Sequence, residues 1–564
     1  MNADPHLTPK KKRMTLQASL PLIGVGVGIL LIIGPFLAGL IRSLLLWVGN
    51  DPQVSLANYS WLLTDTRIRT AALNSLICGL GAMSVSLVLG TSLAWIVSRT
   101  NVPGRETLRT LNLIPFFFSP YVGAIGWIFL IAPYSGLMQT SLGSLLGVSF
   151  EGPNIYSLAG VIWILSLFYT PYVYLFVISP LQRMDAAFED AARVHGASFW
   201  TTIRLVTLPL LQPGLLSAAL IVFVTSAGLF DVPLALTATK GIRTMPTEVF
   251  ALVRYPSDLG RAAAFGIFIT AITIVLTLWQ RAHLSKRRYE IISGKGYKPR
   301  VIELRTTGTL IALAIEVLYL LTSVVLPVLA LVLVALSPLW TGRFNPATAT
   351  LANFSYVLFD YSLTRQAILN SLFLAVTGAT LGVMLSGLQS YYLIRVRSGF
   401  KSFIDAILAL PLGIPGIVLS LFFLIFAIRT PLYGTLAILL IAYIARFFPF
   451  ATRTISAMLS AIHPELEESA RANGATWAQT MRFVLLPLLR PALIAAWIML
   501  FIIFIRELGA SILLYASGTE TISIAMLLLS ENSVGYVAAL ALIQLVLLLT
   551  GFSLFRLTKV SAIQ

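Results

Sequence analysis

Long apolar runs alternate with short polar stretches along almost the whole chain. A helix that crosses a bilayer needs about 20 predominantly apolar residues. Twelve runs reach that length, at approximately 19–47, 70–98, 110–132, 157–180, 213–237, 261–284, 307–337, 367–394, 404–428, 434–458, 490–515 and 535–557. The pattern predicts an all-α polytopic membrane protein with twelve transmembrane helices. The longest polar stretch between runs, about 285–306, reads as a linker between six spans and six more, with Gly294 and Gly296 marking an irregular segment.

The two sets of six are copies. Glu189-Asp190-Ala191-Ala192-Arg193, Gly196 and Leu208-Pro209 recur as Glu467-Glu468-Ser469-Ala470-Arg471, Gly474 and Leu486-Pro487. Gly196 to Gly474 and Pro209 to Pro487 share one separation of 278 residues. Asn74-Ser75-Leu76 recurs as Asn370-Ser371-Leu372, and Leu113-Ile114-Pro115 recurs loosely as Ala409-Leu410-Pro411, at a separation of 296. The first copy therefore holds 18 extra residues, expected near 135–153. The resulting organisation is a tail (1–18), a first six-helix repeat (19–284) with a loop at about 183–209, a linker (285–306), and a second six-helix repeat (307–564) with a loop at about 461–487. An even number of spans per copy puts both loops on one side of the membrane.

Composition agrees with this reading. The chain is 57% hydrophobic and 11% charged, with a mean hydropathy of +0.89. A soluble domain of this size cannot bury so much apolar surface. The net charge of +17 does not imply nucleic acid. Most of the basic residues, Arg446 counted among them, fall in segments that share a side with the tail residues Lys10 to Arg13. Lys and Arg concentrate on the cytoplasmic side of membrane proteins, so both termini are expected in the cytoplasm.

Each repeated loop reads as a short helix. Pro464 suits the first helical position, and Glu465, Glu467 and Glu468 in the next turn favour the helix dipole. Asp185, Glu189 and Asp190 do the same in the first copy. The small residues that follow offer a surface a partner can approach closely, and the Leu-Pro pair is expected to stop the segment before the next span. A duplicated, same-side loop of this kind suits docking to a soluble partner better than a mere connection.

These residues resemble the loop motif of binding-protein-dependent ABC importer permeases, with Asp190 for its usual Glu in the first copy and Ser469 for its first Ala in the second. The resemblance implies two coupling helices, with Glu189, Asp190, Ala191, Ala192 and Gly196 in one and Glu467, Glu468, Ala470 and Gly474 in the other. It also implies two copies of an ATPase subunit that bind ATP and Mg, an extracytoplasmic solute-binding protein, surrounding lipid, and a place in the bacterial inner membrane. The fused two-copy layout, Pro103-Gly104, Pro120-Tyr121-Val122-Gly123 and Arg506-Glu507-Leu508-Gly509-Ala510-Ser511 resemble ferric-iron permeases in particular. Related permeases carry aminoethylphosphonate, thiamine, polyamines or sugar phosphates.

No phosphate-binding Gly-x-x-x-x-Gly-Lys-Ser/Thr occurs, so the chain is expected to be no enzyme and to hold no cofactor of its own. His6, His195, His283 and His463 show no metal-ligand spacing. Charged residues inside a membrane are costly and mark functional sites. Arg506 and Glu507 in the eleventh run, and Asp231 near the corresponding place in the fifth, are candidates for a gate or a pathway lining. Pro411-Leu412-Gly413-Ile414-Pro415-Gly416 could break the ninth run. A secondary transporter would also suit twelve spans, but it should carry mid-membrane ionisable residues, and the duplicated loop would have no partner.

Overall fold

The computed structural model describes residues 16–48, 51–140, 152–254, 256–285, 301–530 and 533–560. Most of the tail and of the linker expected from the sequence lie outside these residues. Ten described helices are long and apolar enough to cross a membrane, and two bent pairs bring the number to twelve if each pair is one span. The expected all-α architecture is present; the one sheet among the described residues is a small hairpin, Leu45–Val48 against Asp51–Val54.

The two halves repeat element by element. Thr66–Arg99 packs on Leu158–Arg183, and Ser362–Arg395 packs on Leu436–Ala461. Between the third and fourth helical segments, 26 residues separate Ile131 from Leu158, whereas 8 separate Ala427 from Leu436. The difference equals the 18 extra residues of the first copy. The first helix of each half crosses to the other half. Leu16–Leu44 lies against Ser362–Arg395 and Gly416–Ala427, and Leu326–Ala335 lies against Pro120–Ile131. Trp127 Nε1 donates to the Thr322 carbonyl at 3.2 Å across that second junction. The reciprocal exchange makes the halves one body, because neither can separate without exposing an interdigitated helix face.

Four of the expected spans are broken, the ninth at the Pro411–Gly416 segment that its prolines and glycines mark. The third run bends by 94° between Phe117 and Pro120, and the ninth bends by 106° between Gly413 and Gly416. In each, a proline sits at the break, which removes a backbone donor and disfavours helical geometry in the residue before it. The fifth run ends as a helix at Ala227 and resumes at Asp231, and the eleventh ends at Ile505. Apolar residues continue through the bends of the third and ninth runs, whereas Asp231 and Arg506-Glu507 stand at the breaks of the fifth and eleventh.

The expectation that Leu-Pro stops the loop segment is corrected. The chain is helical through both pairs, from Phe199 to Ala227 and from Trp477 to Ile505. Directly before Leu208-Pro209, Leu326-Pro327 and Leu486-Pro487, the helix widens into a π turn: Ile203–Thr207, Leu321–Val325 and Met481–Leu485. A proline ring collides with the carbonyl four residues back in a regular α-helix. The extra residue of a π turn shifts that carbonyl away.

Candidate functional site

Each repeated loop folds as a short helix closed by a left-handed glycine. The helices are Ala186–Val194 and Glu465–Ala472. Asp185 caps the first, accepting from the Ala187 amide at 3.0 Å; Pro464 stands one residue before the second, with the three glutamates in its first turn as expected. Gly196 and Gly474 take φ of +83° and +81°. Around them the same two bonds recur: Gly196 N to Arg193 O and Ala197 N to Ala192 O, then Gly474 N to Arg471 O and Ala475 N to Ala470 O. This is a Schellman closure, whose C′ position favours glycine because a Cβ is strained there. A side chain would meet nothing within 4 Å at either site, so conformation, not crowding, requires the glycine. Gly474→Val is therefore expected to leave insertion and fold intact, cost ~1–2 kcal/mol locally, and reorient the loop. Limited proteolysis of the intact protein should show faster cleavage near 474 in the variant and an unchanged pattern elsewhere.

The loop residues divide into two groups. Asp190, Ala191, Gly196, Glu468 and Gly474 are exposed, and Ala192 and Ala470 are half-buried. Beside them stand exposed apolar groups, Phe188, Val194 and Trp200 in the first loop and Leu466 and Phe483 in the second. Glu189 and Glu467 face inward, 7% and 3% exposed. Arg395, at the end of Ser362–Arg395, donates from Nε to Glu467 Oε1 at 2.5 Å and from Nη2 to the Ile462 carbonyl at 2.7 Å. Tyr391 donates to the other Glu467 oxygen at 3.2 Å. In the first half Arg99, 1% exposed, lies 3.7 Å from Glu189 Oε1, which also accepts from Thr207 Oγ1 at 3.1 Å. An arginine from the second helix of each half thus ties the loop to the bundle. In sequence these two arginines read only as loop charges, yet their separation is the same 296 residues that relates Asn74 to Asn370.

Asp231, Arg506 and Glu507 come together in one cavity between the halves, of about 580 Å³. All four helix breaks meet there, since Phe116–Phe118, Gly228–Asp231, Pro411–Gly416 and Arg506–Gly509 contribute to its wall. Broken helices inside a membrane protein are tolerated where their freed backbone is enclosed by protein or lines a cavity. Arg506 and Glu507 do not pair with each other. Arg506 Nη1 reaches into the other half and donates to the carbonyls of Phe116 and Phe118 at 3.0 and 2.9 Å, the acceptors released by the 94° bend. Glu507 accepts from Arg446 Nη1 and from the Ala510 amide, the latter at 2.8 Å. Arg446 is therefore no loop residue, as the charge count had it: it sits in the middle of Leu436–Ala461 with its guanidinium 4.7 Å from the Phe447 ring centroid. A side chain at Gly416 would collide with that guanidinium, which explains a glycine at the second bend.

Comparison with known proteins is consistent with this geometry. Residues 86–289 and 378–559 each match the family model described as "Binding-protein-dependent transport system inner membrane component". The putative ferric transport system permease protein FbpB 1 of Haemophilus influenzae is 26% identical over 81% of this chain and 72% of its own length. A second protein of that organism, the Fe(3+)-transport system permease protein FbpB 2, is 23% identical over 97% of this chain and 99% of its own. The molybdenum transport system permease protein ModB of Escherichia coli K12 is 25% identical over 40% of this chain and 98% of its own. Two matches to one family model, on two structurally repeated halves, establish that the chain belongs to the binding-protein-dependent transport system inner membrane components, as a fused two-copy ABC importer permease.

Proposed function

We propose that this permease carries ferric iron across the inner membrane. The observation that carries this reading is similarity, over nearly the whole chain, to a protein named for Fe(3+) transport. Two copies of an ATPase subunit would seat the exposed faces of the two loops, through Asp190, Ala191 and Gly196 on one and Glu468, Ala470 and Gly474 on the other. Glu189 and Glu467 would hold those loops to the bundle rather than touch the partner. The loop face is then cytoplasmic, with both termini on that side, and a solute-binding protein delivers cargo to the opposite face. ATP and its Mg belong to the partner chains.

In this reading the central cavity belongs to the translocation path, and Asp231, Arg506 and Glu507 line it. Closure of the ATPases would draw the two loops together and rock the halves, a population shift whose bistable contacts include the Arg506 bridge between them. Calorimetric titration of the associated binding protein with ferric iron, aminoethylphosphonate, thiamine, polyamines, sugar phosphates and molybdate tests the cargo. Tight binding of ferric iron alone is expected. Tight binding of any of the other solutes in its place would sink the iron assignment and leave the permease architecture untouched.

A further inference from the structure

We propose that the first-half wall of the cavity is a station for a bare, hard, multivalent cation, held by the Asp231 carboxylate with the phenol oxygens of Tyr169 and Tyr172. This deepens the reading of the chain as an iron permease and rests on it for the identity of the cation.

The charges of the cavity point this way. Four charged side chains line it. Arg446 and Glu507 are committed to each other, and Arg506 is committed to two carbonyls of the opposite half. Asp231 makes no ion pair or hydrogen bond with a described residue, although it is within electrostatic reach of both arginines. A carboxylate facing an internal cavity of a membrane protein, with no counterion within pairing distance, is satisfied by a proton or by a mobile cation, and the hard oxygens around Asp231 favour the cation. Both arginines come from the second half, so Asp231 is, among the described residues, the one charged side chain that the first half itself contributes to the cavity, with Arg506 reaching across to the carbonyls of Phe116 and Phe118.

The oxygens point the same way. Tyr169 and Tyr172 stand one turn apart on Leu158–Arg183, with ring centroids 5.5 Å apart. Asp231 acts electrostatically on the Tyr169 phenol, and the Thr225 hydroxyl is beside that phenol. Carboxylate and phenol oxygens are hard donors and suit hard cations rather than soft ones.

The internal repeat supplies the control. At the separation of 278 residues, Tyr169 corresponds to Phe447, Tyr172 to Phe450, Thr225 to Ile503 and Asp231 to Gly509. All eight residues line the same cavity. The second copy keeps the two aromatic rings and lacks all four oxygen-bearing groups. At these four positions packing therefore requires the rings and not the oxygens. Among the described residues no three His, Cys, Asp or Glu gather into a metal-binding group; the proposed station has one carboxylate, with phenols beside it.

Terbium luminescence on the full-length permease in lipid nanodiscs tests this, because Tb³⁺ is a hard trivalent cation that emits when a nearby tyrosine transfers excitation to it. Saturable emission, displaced by Ga³⁺, is expected from the unaltered chain. Asp231→Asn should reduce it at least tenfold, Tyr172→Phe severalfold, and Asp231→Glu should retain it while eluting as the same single species. Emission in Asp231→Asn equal to that of the unaltered chain would overturn the station even if the binding protein takes ferric iron. Emission that depends on Asp231, with a binding protein that takes an organic solute, would uphold the station and discard the iron reading.

Discussion

Arg395→Met is expected to abolish most ATP-driven transport while leaving the permease inserted. Glu467 is 3% exposed, and Arg395 is its ion-pair partner. Removing one member of a buried pair leaves the other charged and desolvated, a loss of roughly 3–5 kcal/mol. The global fold need not bear that loss, because the loop helix can swing until Glu467 reaches water. The expected result is then a detached loop on an intact bundle. Binding-protein-stimulated ATPase activity of the reconstituted transporter should fall at least tenfold. Arg395→Lys should recover only part of it, since an ammonium cannot hold Glu467 and the Ile462 carbonyl in the geometry of a planar guanidinium. Arg99→Met should have a smaller effect. Its contact to Glu189 is longer, at 3.7 Å, and Thr207 holds the same carboxylate oxygen. Equal activity of Arg395→Met and the unaltered chain would show that the tether carries no force between the loop and the bundle.

The contrast between the loops and the cavity explains how far the sequence could be read. The loops are encoded locally. Acidic residues at the start, a left-handed glycine at the end and small residues between are neighbours in the chain, so their geometry follows from their order. The copy at 467–474 repeats the copy at 189–196, which turns a weak pattern into a specific one. The cavity is encoded by contacts across hundreds of residues. Arg506 meets carbonyls at Phe116 and Phe118, and no local pattern links them. Arg446 lies within a long, largely apolar helix, and a charge count places it outside the membrane. Hydropathy does not register a bend, so the breaks show only where residue type marks them, as Pro411 to Gly416 do in the ninth run. Prolines at 120 and 415 mark two of them; Gly228 and Arg506, at the other two, carry no comparable signal. The tethers Arg99 and Arg395 are intermediate: their matched separation was readable, and their partners were not.

The largest stability effect should come from the Arg446–Glu507 pair, and it separates structure from transport. Glu507→Leu strands the Arg446 guanidinium on the cavity wall and removes the acceptor of the Ala510 amide. Arg446→Leu strands the carboxylate. Each single change is expected to cost roughly 3 kcal/mol and to lower the thermal midpoint of the purified permease. The double variant, Arg446→Leu with Glu507→Leu, removes both charges together. Replacing a buried ion pair by apolar groups is often neutral, so most of the lost stability should return, and a double-mutant cycle on the melting midpoints measures the coupling. Transport should not return with it. The double variant keeps Arg506 beside Asp231 and leaves the net charge of the cavity unchanged, but the second-half wall loses the polar face that the pair presents to passing cargo. Recovery of both stability and transport in the double variant would mean that the pair is scaffolding alone. Recovery of stability without transport would mean that the pair acts on the passing cargo as well as on the fold.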